Sequence, residues 1–512
     1  MLTNLKKALK SKENIKTILY ISVLSIMSYF VFINNLGSRT LHIWDESRNA
    51  ISAYEISKNG SYLMPTFDEQ IDMWNTKPPL LISCQAICIK IFGNKESAVR
   101  LPSALASILT AILVFLVLAS LTKSKPLAFL SSCVFLTLPG ILPYHALRQA
   151  DFEAFLVLFS AAYALVFLYY LETKKTNFLY LSMVLFTLAF LSKSSASLFF
   201  LPGIGIYILL KKELLNLLKS KHLYFSILIP IITLGGYYLI REIFNAGYIK
   251  AVYDNEFGGR ALNAIEGHTK PFNFYYKYLT DYVLGWWYYL IPIGVVLTFF
   301  EKNKTIRHIF IFSFIIAATH LLLISISKTK LEWYCFPQVV FWAILSAITI
   351  YQILNLILFW LKNNQIKTYI QILVFAAILY YPFINQLKTV KFISTEESWN
   401  KNVKVFLRDR LPELNLDKEK QINFISDEYL QNSLYYIYKL RDSGYNIEYS
   451  DFNNLKEDSY LIIDGNYEQK LVETYKFWDK LDTIEIYTDN IKMLYLQRND
   501  TYNDPIENGK TE

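Results

Sequence analysis

The sequence predicts a polytopic α-helical membrane protein with a small soluble α/β domain at its C-terminal end. Of its 512 residues, 53% are hydrophobic and only 18% are charged. The apolar residues come in long blocks, and a helix that spans a bilayer needs about 20 mostly apolar residues. The mean hydropathy of +0.26 is modest for a membrane protein, so sizeable polar segments must lie outside the lipid.

The apolar blocks predict about 11–13 transmembrane helices, eleven of which can be placed individually. If the N-terminus is cytoplasmic, the inner loops hold eighteen Lys and Arg residues and the short outer connections hold four. Because excess Lys and Arg marks the cytoplasmic side, this bias supports that orientation. The spans lie near 17–36, 99–121, 127–143, 152–171, 177–191, 195–210, 223–241, 281–300, 308–326, 334–360 and 368–387.

This topology divides the chain into a transmembrane domain, residues 1–389, and a soluble extracytoplasmic domain, residues 390–512. Two long loops of the first domain, 37–98 and 242–280, lie on the outer side. The second domain loses the apolar blocks, and its short alternating stretches predict strands and amphipathic helices. The strands are expected at 421–426, 446–449, 460–463, 484–487 and 492–496, and the helices near 397–409 and 428–441.

Charge and cysteine content exclude several classes of partner. The net charge of +8 arises from Lys and Arg in short loops, so we expect no nucleic-acid partner. Cys84 and Cys88 are four residues apart in an apolar stretch, which favours packing over metal binding. The first apolar segment lacks a small-residue cleavage site and is interpreted as a membrane anchor. No metal site is predicted.

A charged cluster, Trp44-Asp45-Glu46-Ser47-Arg48, directly follows the first predicted span. Carboxylates are costly to desolvate and are rarely placed near lipid without a partner or a task. Asp45 is therefore a candidate catalytic residue, with a structural salt bridge to Arg48 or to a lysine as the alternative. Glu46 is either a second acid or a cap of the following helix, since acids favour helix N-termini.

Most other polar residues at the edges of the spans fall on the same outer side. Lysines there could simply extend to the lipid headgroups, but carboxylates cannot reach as far. Asp151, directly before an apolar span, needs a partner. Cations stabilise the charge of a departing phosphate, and a carboxylate can accept a hydroxyl proton, so the set favours transfer from a phosphate-linked lipid. The set includes Lys77, Arg148, Asp151, Glu153, Lys193, Glu256, Arg260, His268, Lys330 and Tyr334.

Several motifs resemble those of lipid-linked sugar transferases, the family of the 4-amino-4-deoxy-L-arabinose lipid A transferases and the dolichyl-phosphate-mannose protein mannosyltransferases. The resemblance covers roughly residues 40–340 and implies the fold called GT-C. Ser194 stands where the family usually has Gly, and Glu332 where Pro is common. The motifs are Trp44-Asp45-Glu46-Ser47-Arg48, Lys77-Pro78-Pro79-Leu80, Ala98-Val99-Arg100-Leu101-Pro102, Arg148 to Phe155, Leu191-Ser192-Lys193, Asn255-Glu256-Phe257 with Arg260, and Lys330 to Pro337.

The resemblance implies an inverting glycosyltransferase with a sugar on a polyprenyl phosphate as donor. Asp45 matches the catalytic acidic position, and Asp151 orients the acceptor or holds a cation. Tyr334 helps to position the lipid phosphate. The candidate catalytic residues are Asp45, Glu46 and Asp151, and the candidate substrate-binding residues are Arg48, Lys77, Lys193, Glu256, Arg260, Lys330 and Tyr334, of which Lys77, Arg260 and Lys330 are the best phosphate ligands.

The acceptor is expected to be a lipid A-type phosphate or another extracytoplasmic group. The alternative is a protein O-glycosyltransferase, and a glycan polymerase, a ligase or a lipid-sugar flippase is less favoured. If the acceptor is a hydroxyl, Asp45 acts as general base; a phosphate acceptor needs none. No cofactor is predicted, and a divalent cation stays an open alternative. The expected location is the bacterial inner membrane.

Overall fold

A computed structural model gives the structure of the protein and describes most of the chain. The described residues are 12–142, 145–259, 268–395, 402–426, 428–429, 431, 433–452, 454–455, 458–465, 480–488 and 491–497. They belong to two compact units. The first, the helical unit, comprises Met1–Leu36 and Ser52–Phe392; the second, the sheet unit, comprises Gly37–Ile51 and Ile393–Glu512.

Nine helical segments among the described residues are long and apolar enough to cross a bilayer, so the chain is a multi-pass membrane protein. One of them, Glu153–Thr173, is apolar all round, as expected of a helix surrounded by others. The nine segments are Asn14–Ile33, Glu96–Thr122, Glu153–Thr173, Thr176–Leu210, Lys221–Phe244, Phe274–Phe300, Lys304–Ile326, Glu332–Ile357 and Asn364–Thr395.

The difference between eleven placed spans and nine segments arises at two positions. The span expected near 127–143 is a helix of only 12 residues, Lys125–Leu136. Pro139 follows and opens a short 3-10 turn, because proline has no N–H with which to continue the helix. The spans expected at 177–191 and 195–210 lie in one segment, Thr176–Leu210, whose backbone breaks locally at Ser194.

Shorter elements connect these segments. The helical unit also contains the short α-helices Leu80–Phe92, Leu214–Leu218 and Tyr248–Val252. It further contains a two-stranded antiparallel ribbon, in which Thr66–Phe67 pairs with Gln70–Ile71. Within the longer segments, 3-10 or π turns replace α-helix at Tyr29–Ile33, Ser194–Phe200, Leu279–Leu284, Gly285–Tyr289 and Glu332–Gln338, and the π-helix Tyr253–Gly259 follows Tyr248–Val252.

The sheet unit holds a five-stranded mixed sheet with all five predicted strands. Its order is Ile447–Tyr449, Ile422–Ser426, Ser459–Asp464, Ile491–Gln497 and Lys480–Ile486. The first three strands are parallel, and the last two run antiparallel to their neighbours. A helix, Leu434–Asp442, makes the crossover that parallel neighbours require. Buried Leu461, Ile463 and Leu494 belong to the apolar core beneath the sheet.

Candidate active site

A buried ion pair joins the start of one helix of the helical unit to the end of the next. Glu153 is the first residue of Glu153–Thr173, and Lys193 is the last residue of Thr176–Lys193. The Lys193 ammonium donates a short hydrogen bond to Glu153 Oε1, and their side chains are 10% and 1% exposed. Each charge suits its helix terminus, since carboxylates favour N-termini and ammonium groups favour C-termini.

Asp151, two residues before Glu153, is paired with a histidine. His145 Nδ1 donates to Asp151 Oδ2 at 2.5 Å, and the Phe152 N–H donates to Asp151 Oδ1 at 2.7 Å. Burial acts to raise the pKa of the Asp151 carboxyl. The His145 hydrogen bond and charge, with the charge of Lys193, outweigh burial and hold that pKa below its ordinary value. Asp151 is therefore ionised at neutral pH.

His145 is held in an unusual backbone conformation. Its φ is +57°, in the left-handed region that non-glycine residues seldom adopt. Its ring packs against that of Trp333, tilted by 31° and with 3.7 Å between the ring centroids. Its backbone N–H donates to Gln149 Oε1 at 2.7 Å. These contacts fix the imidazole against the Asp151 carboxylate.

The Glu153–Lys193 pair lines a pocket that combines charged and apolar walls. Its cavity volume is about 200 Å³. The charged and polar wall contains Lys77, Glu153, Lys193, Ser195, Glu256 and Tyr334, and the apolar wall contains Leu156, Ala196, Leu198, Phe199, Ile324 and Pro337. His320, Ser327 and Trp333 complete the lining.

Four of the predicted substrate-binding residues thus meet in one pocket: Lys77, Lys193, Glu256 and Tyr334. The Lys77 ammonium lies 5.1 Å from the centroid of the Phe152 ring, and that of Lys193 lies 5.7 Å from the Tyr334 ring. The Ser195 hydroxyl donates to Glu256 Oε2 at 3.3 Å. Both cations are near aromatic faces, which attract positive charge.

Lys330 is buried beside this pocket and is anchored by backbone contacts. Its ammonium donates to the Ser327 carbonyl at 2.5 Å, and its own N–H donates to the His268 carbonyl at 3.0 Å. Ser327 lines the pocket. Lys330 therefore contacts a residue that lines the pocket but does not line the pocket itself.

Asp45, Glu46 and Arg48 belong to the sheet unit. They lie at the start of the α-helix Asp45–Asn59. Glu46 is buried, and its Oε2 accepts the His42 N–H at 2.7 Å. This contact satisfies a backbone N–H three residues before the helix begins at Asp45.

The segment that precedes Asp45 is anchored within the sheet unit. The Leu41 N–H donates to the Tyr436 hydroxyl at 2.8 Å, and the Lys404 ammonium donates to the Leu41 carbonyl at 2.9 Å. The Trp44 ring packs against Tyr429 at 4.6 Å. Arg260 lies outside the described residues.

The chain resembles a known protein family and known crystal structures. Residues 76–236 match the family model "Dolichyl-phosphate-mannose-protein mannosyltransferase". The chain superposes on crystal structures of ArnT from Cupriavidus metallidurans, one bound to undecaprenyl phosphate and one in the apo state, with TM-scores of 0.68 and 0.67. The alignments have 13% and 12% identity, cover 93% and 95% of this chain, and cover 97% and 98% of ArnT.

The chain has the GT-C fold. The predicted resemblance to the lipid-linked sugar transferases and the predicted fold class are both confirmed. An uncharacterized protein of Aquifex aeolicus (strain VF5) is 27% identical over 343 residues, which are 65% of this chain. The match spans 63% of that relative's length.

Within this GT-C fold, sequence reasoning missed two neighbours of the predicted residues. His145 was not assigned a function, yet it pairs with Asp151. Glu153 was recognised as an outer-edge carboxylate but was not placed among the site residues, yet it pairs with Lys193. The signal for Glu153 was present, because an acid at the start of an apolar span needs a partner just as Asp151 does. His145, two residues after the span predicted near 127–143, gave no such signal, since a histidine need not be charged at neutral pH.

Proposed function

We propose that the protein is a membrane glycosyltransferase that moves a sugar from a polyprenyl-phosphate donor to an extracytoplasmic acceptor. The observation that carries this proposal is a pocket lined by both Lys77 and Lys193 and by apolar side chains. A polyprenyl-phosphate sugar has the matching two parts, an anionic phosphate and an apolar chain. Sugar transfer from it requires stabilisation of the phosphate that leaves.

Lys77 is the best candidate to receive that phosphate. It lines the pocket and, among the described residues, has no carboxylate partner. Lys193 already pairs with Glu153, so its charge is largely balanced. An ammonium without a counter-ion gains most from a phosphate, with which it forms a charge-assisted hydrogen bond. Lys330 and Arg260 remain proposed phosphate ligands on the family resemblance.

The apolar wall suits the first isoprene units of the carrier. Leu198, Phe199 and Ile324 line it next to the polar residues. Burial of apolar surface contributes roughly 25 cal/mol per Å², so this wall adds affinity that a soluble sugar phosphate would lack.

Two acidic positions are proposed to act on the acceptor. Asp45 accepts the proton of a hydroxyl acceptor, and with a phosphate acceptor it orients the substrate or balances charge. Asp151, ionised and fixed by His145, orients the acceptor. Glu46 is proposed as a second acid or as a cap of the following helix, and Arg48 is proposed to help bind the substrate.

One solved structure and the matched family model support the donor and leave two acceptors to compare. ArnT, which has the same fold, has been crystallised with undecaprenyl phosphate, which favours this carrier. The resemblance to the aminoarabinose lipid A transferases favours a lipid A-type phosphate as acceptor. The matched family model is that of protein mannosyltransferases, which favours a protein hydroxyl instead. We further propose the bacterial inner membrane, with the N-terminus in the cytoplasm and the pocket on the outer side.

Transfer by the purified protein in lipid nanodiscs tests this function. The protein should release polyprenyl phosphate from a lipid-linked sugar only when an acceptor extract is added. An Asp45→Asn variant should be slower by about 100-fold or more with a hydroxyl acceptor, since general base catalysis contributes 10²–10⁴-fold. Absence of release with every lipid-linked sugar and acceptor extract would contradict the proposal.

A further inference from the structure

Two residues that the sequence did not single out, Arg241 and Tyr248, contact the backbone on either side of the loop that leads to Lys77. Arg241 Nη1 donates to the Leu63 carbonyl at 3.0 Å. The Tyr248 hydroxyl donates to the Thr76 carbonyl at 2.8 Å. Both side chains are almost wholly buried, at 1% and 0% exposure. The guanidinium carbon of Arg241 lies 4.2 Å from the centroid of the Tyr248 ring, so the two form one unit.

The second of these contacts is adjacent to Lys77 in the chain. The carbonyl of Thr76 belongs to the peptide group that precedes Lys77, and Pro78-Pro79 follow before the helix Leu80–Phe92 begins. Proline fixes its own φ and restricts the residue before it. The Tyr248 hydrogen bond thus restrains the peptide group before Lys77, and the proline pair restrains the backbone after it. Together they limit the positions that the Lys77 backbone, and therefore its side chain, can adopt.

The burial of Arg241 needs an explanation. Among the described residues no carboxylate pairs with its guanidinium, and its Nε has no hydrogen-bond partner. Removing a guanidinium from water is costly unless its surroundings compensate. Among the described residues, the guanidinium donates to the Leu63 carbonyl in the loop that leads to Lys77, and it lies against the Tyr248 ring. The hydroxyl of that ring donates to Thr76 at the end of the same loop.

The same stretch of chain also reaches the pocket. Tyr248 begins the helix Tyr248–Val252, which continues into Tyr253–Gly259. Glu256 within it accepts a hydrogen bond from the Ser195 hydroxyl and lines the pocket. One short segment therefore contacts the backbone next to Lys77 and supplies a second residue to the lining of the pocket.

We propose that Arg241 and Tyr248 are positioning residues that hold Lys77 in the orientation in which it receives the phosphate of the lipid carrier. This inference rests on the proposed function, because it concerns the same phosphate. Neither residue needs to touch the carrier. Their effect is to reduce the conformational freedom that Lys77 would otherwise lose on binding, which is preorganisation of the site.

A double-mutant cycle with undecaprenyl phosphate as the probe tests the inference on the full chain in nanodiscs. Tyr248→Phe keeps the buried ring and removes the hydroxyl, which donates to the Thr76 carbonyl and also lies 3.1 Å from the Tyr237 hydroxyl. The change should weaken binding about 5-fold, in line with loss of the bond to Thr76. In a Lys77→Met background the same change should have no further effect, because coupled residues are not additive.

A matched control is available on the helix that bears Arg241. Tyr224, near the start of Lys221–Phe244, also donates its hydroxyl to a backbone carbonyl, that of Leu218 at 2.8 Å. Tyr224→Phe should leave binding unchanged. Arg241→Lys, which retains the charge but loses the fork of donors, should weaken binding as Tyr248→Phe does.

Three outcomes would contradict parts of this account and can be told apart. Wild-type protein that binds no undecaprenyl phosphate would overturn the proposed function and this inference with it. Wild-type binding with equal affinity in Tyr248→Phe would overturn the inference alone. An equal loss from Tyr248→Phe with and without Lys77 would also overturn it, because the hydroxyl would then act independently of Lys77.

Discussion

The two ends of the helix Glu153–Thr173 carry the same types of charged residue in different surroundings. At its start, Glu153 pairs with Lys193 and the neighbouring Asp151 pairs with His145. At its end, Glu172 accepts a hydrogen bond from Lys211 at 3.0 Å, with His308 Nδ1 3.2 Å away. Each end thus combines glutamate, lysine and histidine.

Burial separates the two ends. The side chains of Glu153 and Lys193 are 1% and 10% exposed, whereas those of Glu172 and Lys211 are 14% and 22% exposed. The cost of removing both charges from water offsets much of the attraction within a buried ion pair. A buried pair is therefore weak evidence that the contact stabilises the fold. The buried pair lines the mixed pocket, and we infer that it is retained for function. The predicted topology places the partly exposed pair of Glu172 and Lys211 at the cytoplasmic surface. Charged residues there can contact water, so their presence does not require a function.

The largest expected difference between the two ends is in stability. Lys193→Met leaves the Glu153 carboxylate buried without its partner, which should lower the free energy of unfolding by roughly 3–5 kcal/mol. Lys211→Met removes a partly exposed pair and should lower it by no more than about 1 kcal/mol. Thermal unfolding of the purified variants in one detergent measures both. Equal losses would remove the distinction between the ends.

A double variant separates stability from function at the buried end. Replacing both partners, Lys193→Met with Glu153→Leu, removes the unpaired charge and should recover most of the lost stability. Sugar transfer should stay lost, because the pocket would lack both charges. Recovery of transfer together with stability would show that the pair is only structural.

A smaller effect is expected from His145. His145→Ala removes the imidazole hydrogen bond to Asp151 Oδ2, which should lower the free energy of unfolding by about 1–3 kcal/mol. His308→Ala, at the other end of the helix, is the matched control and should have a smaller effect, since His308 is more exposed than His145. A greater loss from His308→Ala would contradict this account.

The same variant should change the pH dependence of stability. The folded pKa of Asp151 lies below its ordinary value, so its contribution is present at neutral pH and is lost as pH falls through the folded pKa. Without His145, burial is less well opposed and the pKa of Asp151 rises towards its ordinary value, so the stability that is lost at acid pH becomes smaller. Unfolding temperatures should therefore fall less between neutral and acid pH in His145→Ala than in the wild type. Parallel curves would contradict the proposed pairing.

The smallest expected effect is a gain at Ser194, directly after Lys193. Ser194 has φ +41° and ψ −127°, which glycine adopts more easily than serine, and the family usually has Gly there. Ser194→Gly should raise the free energy of unfolding by about 1 kcal/mol. Ser192→Gly, in the preceding helix, should instead lower it by about 1 kcal/mol. A loss in both variants would mean that Ser194 is not strained.

Much of this fold could be predicted from the sequence, since long apolar blocks and the positions of Lys and Arg are properties of the chain itself. The two differences in span count had local causes. One predicted span is a shorter helix that ends before Pro139. Two other predicted spans lie in one helical segment, Thr176–Leu210, which continues past a local break at Ser194. The strands of the sheet unit were also found where alternation placed them.

The site was predicted less completely, because its contacts join residues far apart in the chain. Lys77, Lys193, Glu256 and Tyr334 were chosen for charge, position and family resemblance, and they meet in one pocket. Pairings depend on how helices pack, and so the partner of Lys193 could not be read from the sequence. Arg241 resembled an ordinary cation at the end of a span, and only its burial distinguishes it.

The central claim is that the pocket at the buried end binds a polyprenyl phosphate through Lys77. Titration of undecaprenyl phosphate into the full chain in nanodiscs tests it most directly, with Lys77→Met compared with Lys211→Met. The account predicts that Lys77→Met weakens binding by about 10-fold or more, the equivalent of one charge-assisted hydrogen bond, and that Lys211→Met leaves it unchanged. Equal affinity in Lys77→Met and wild type would contradict the claim.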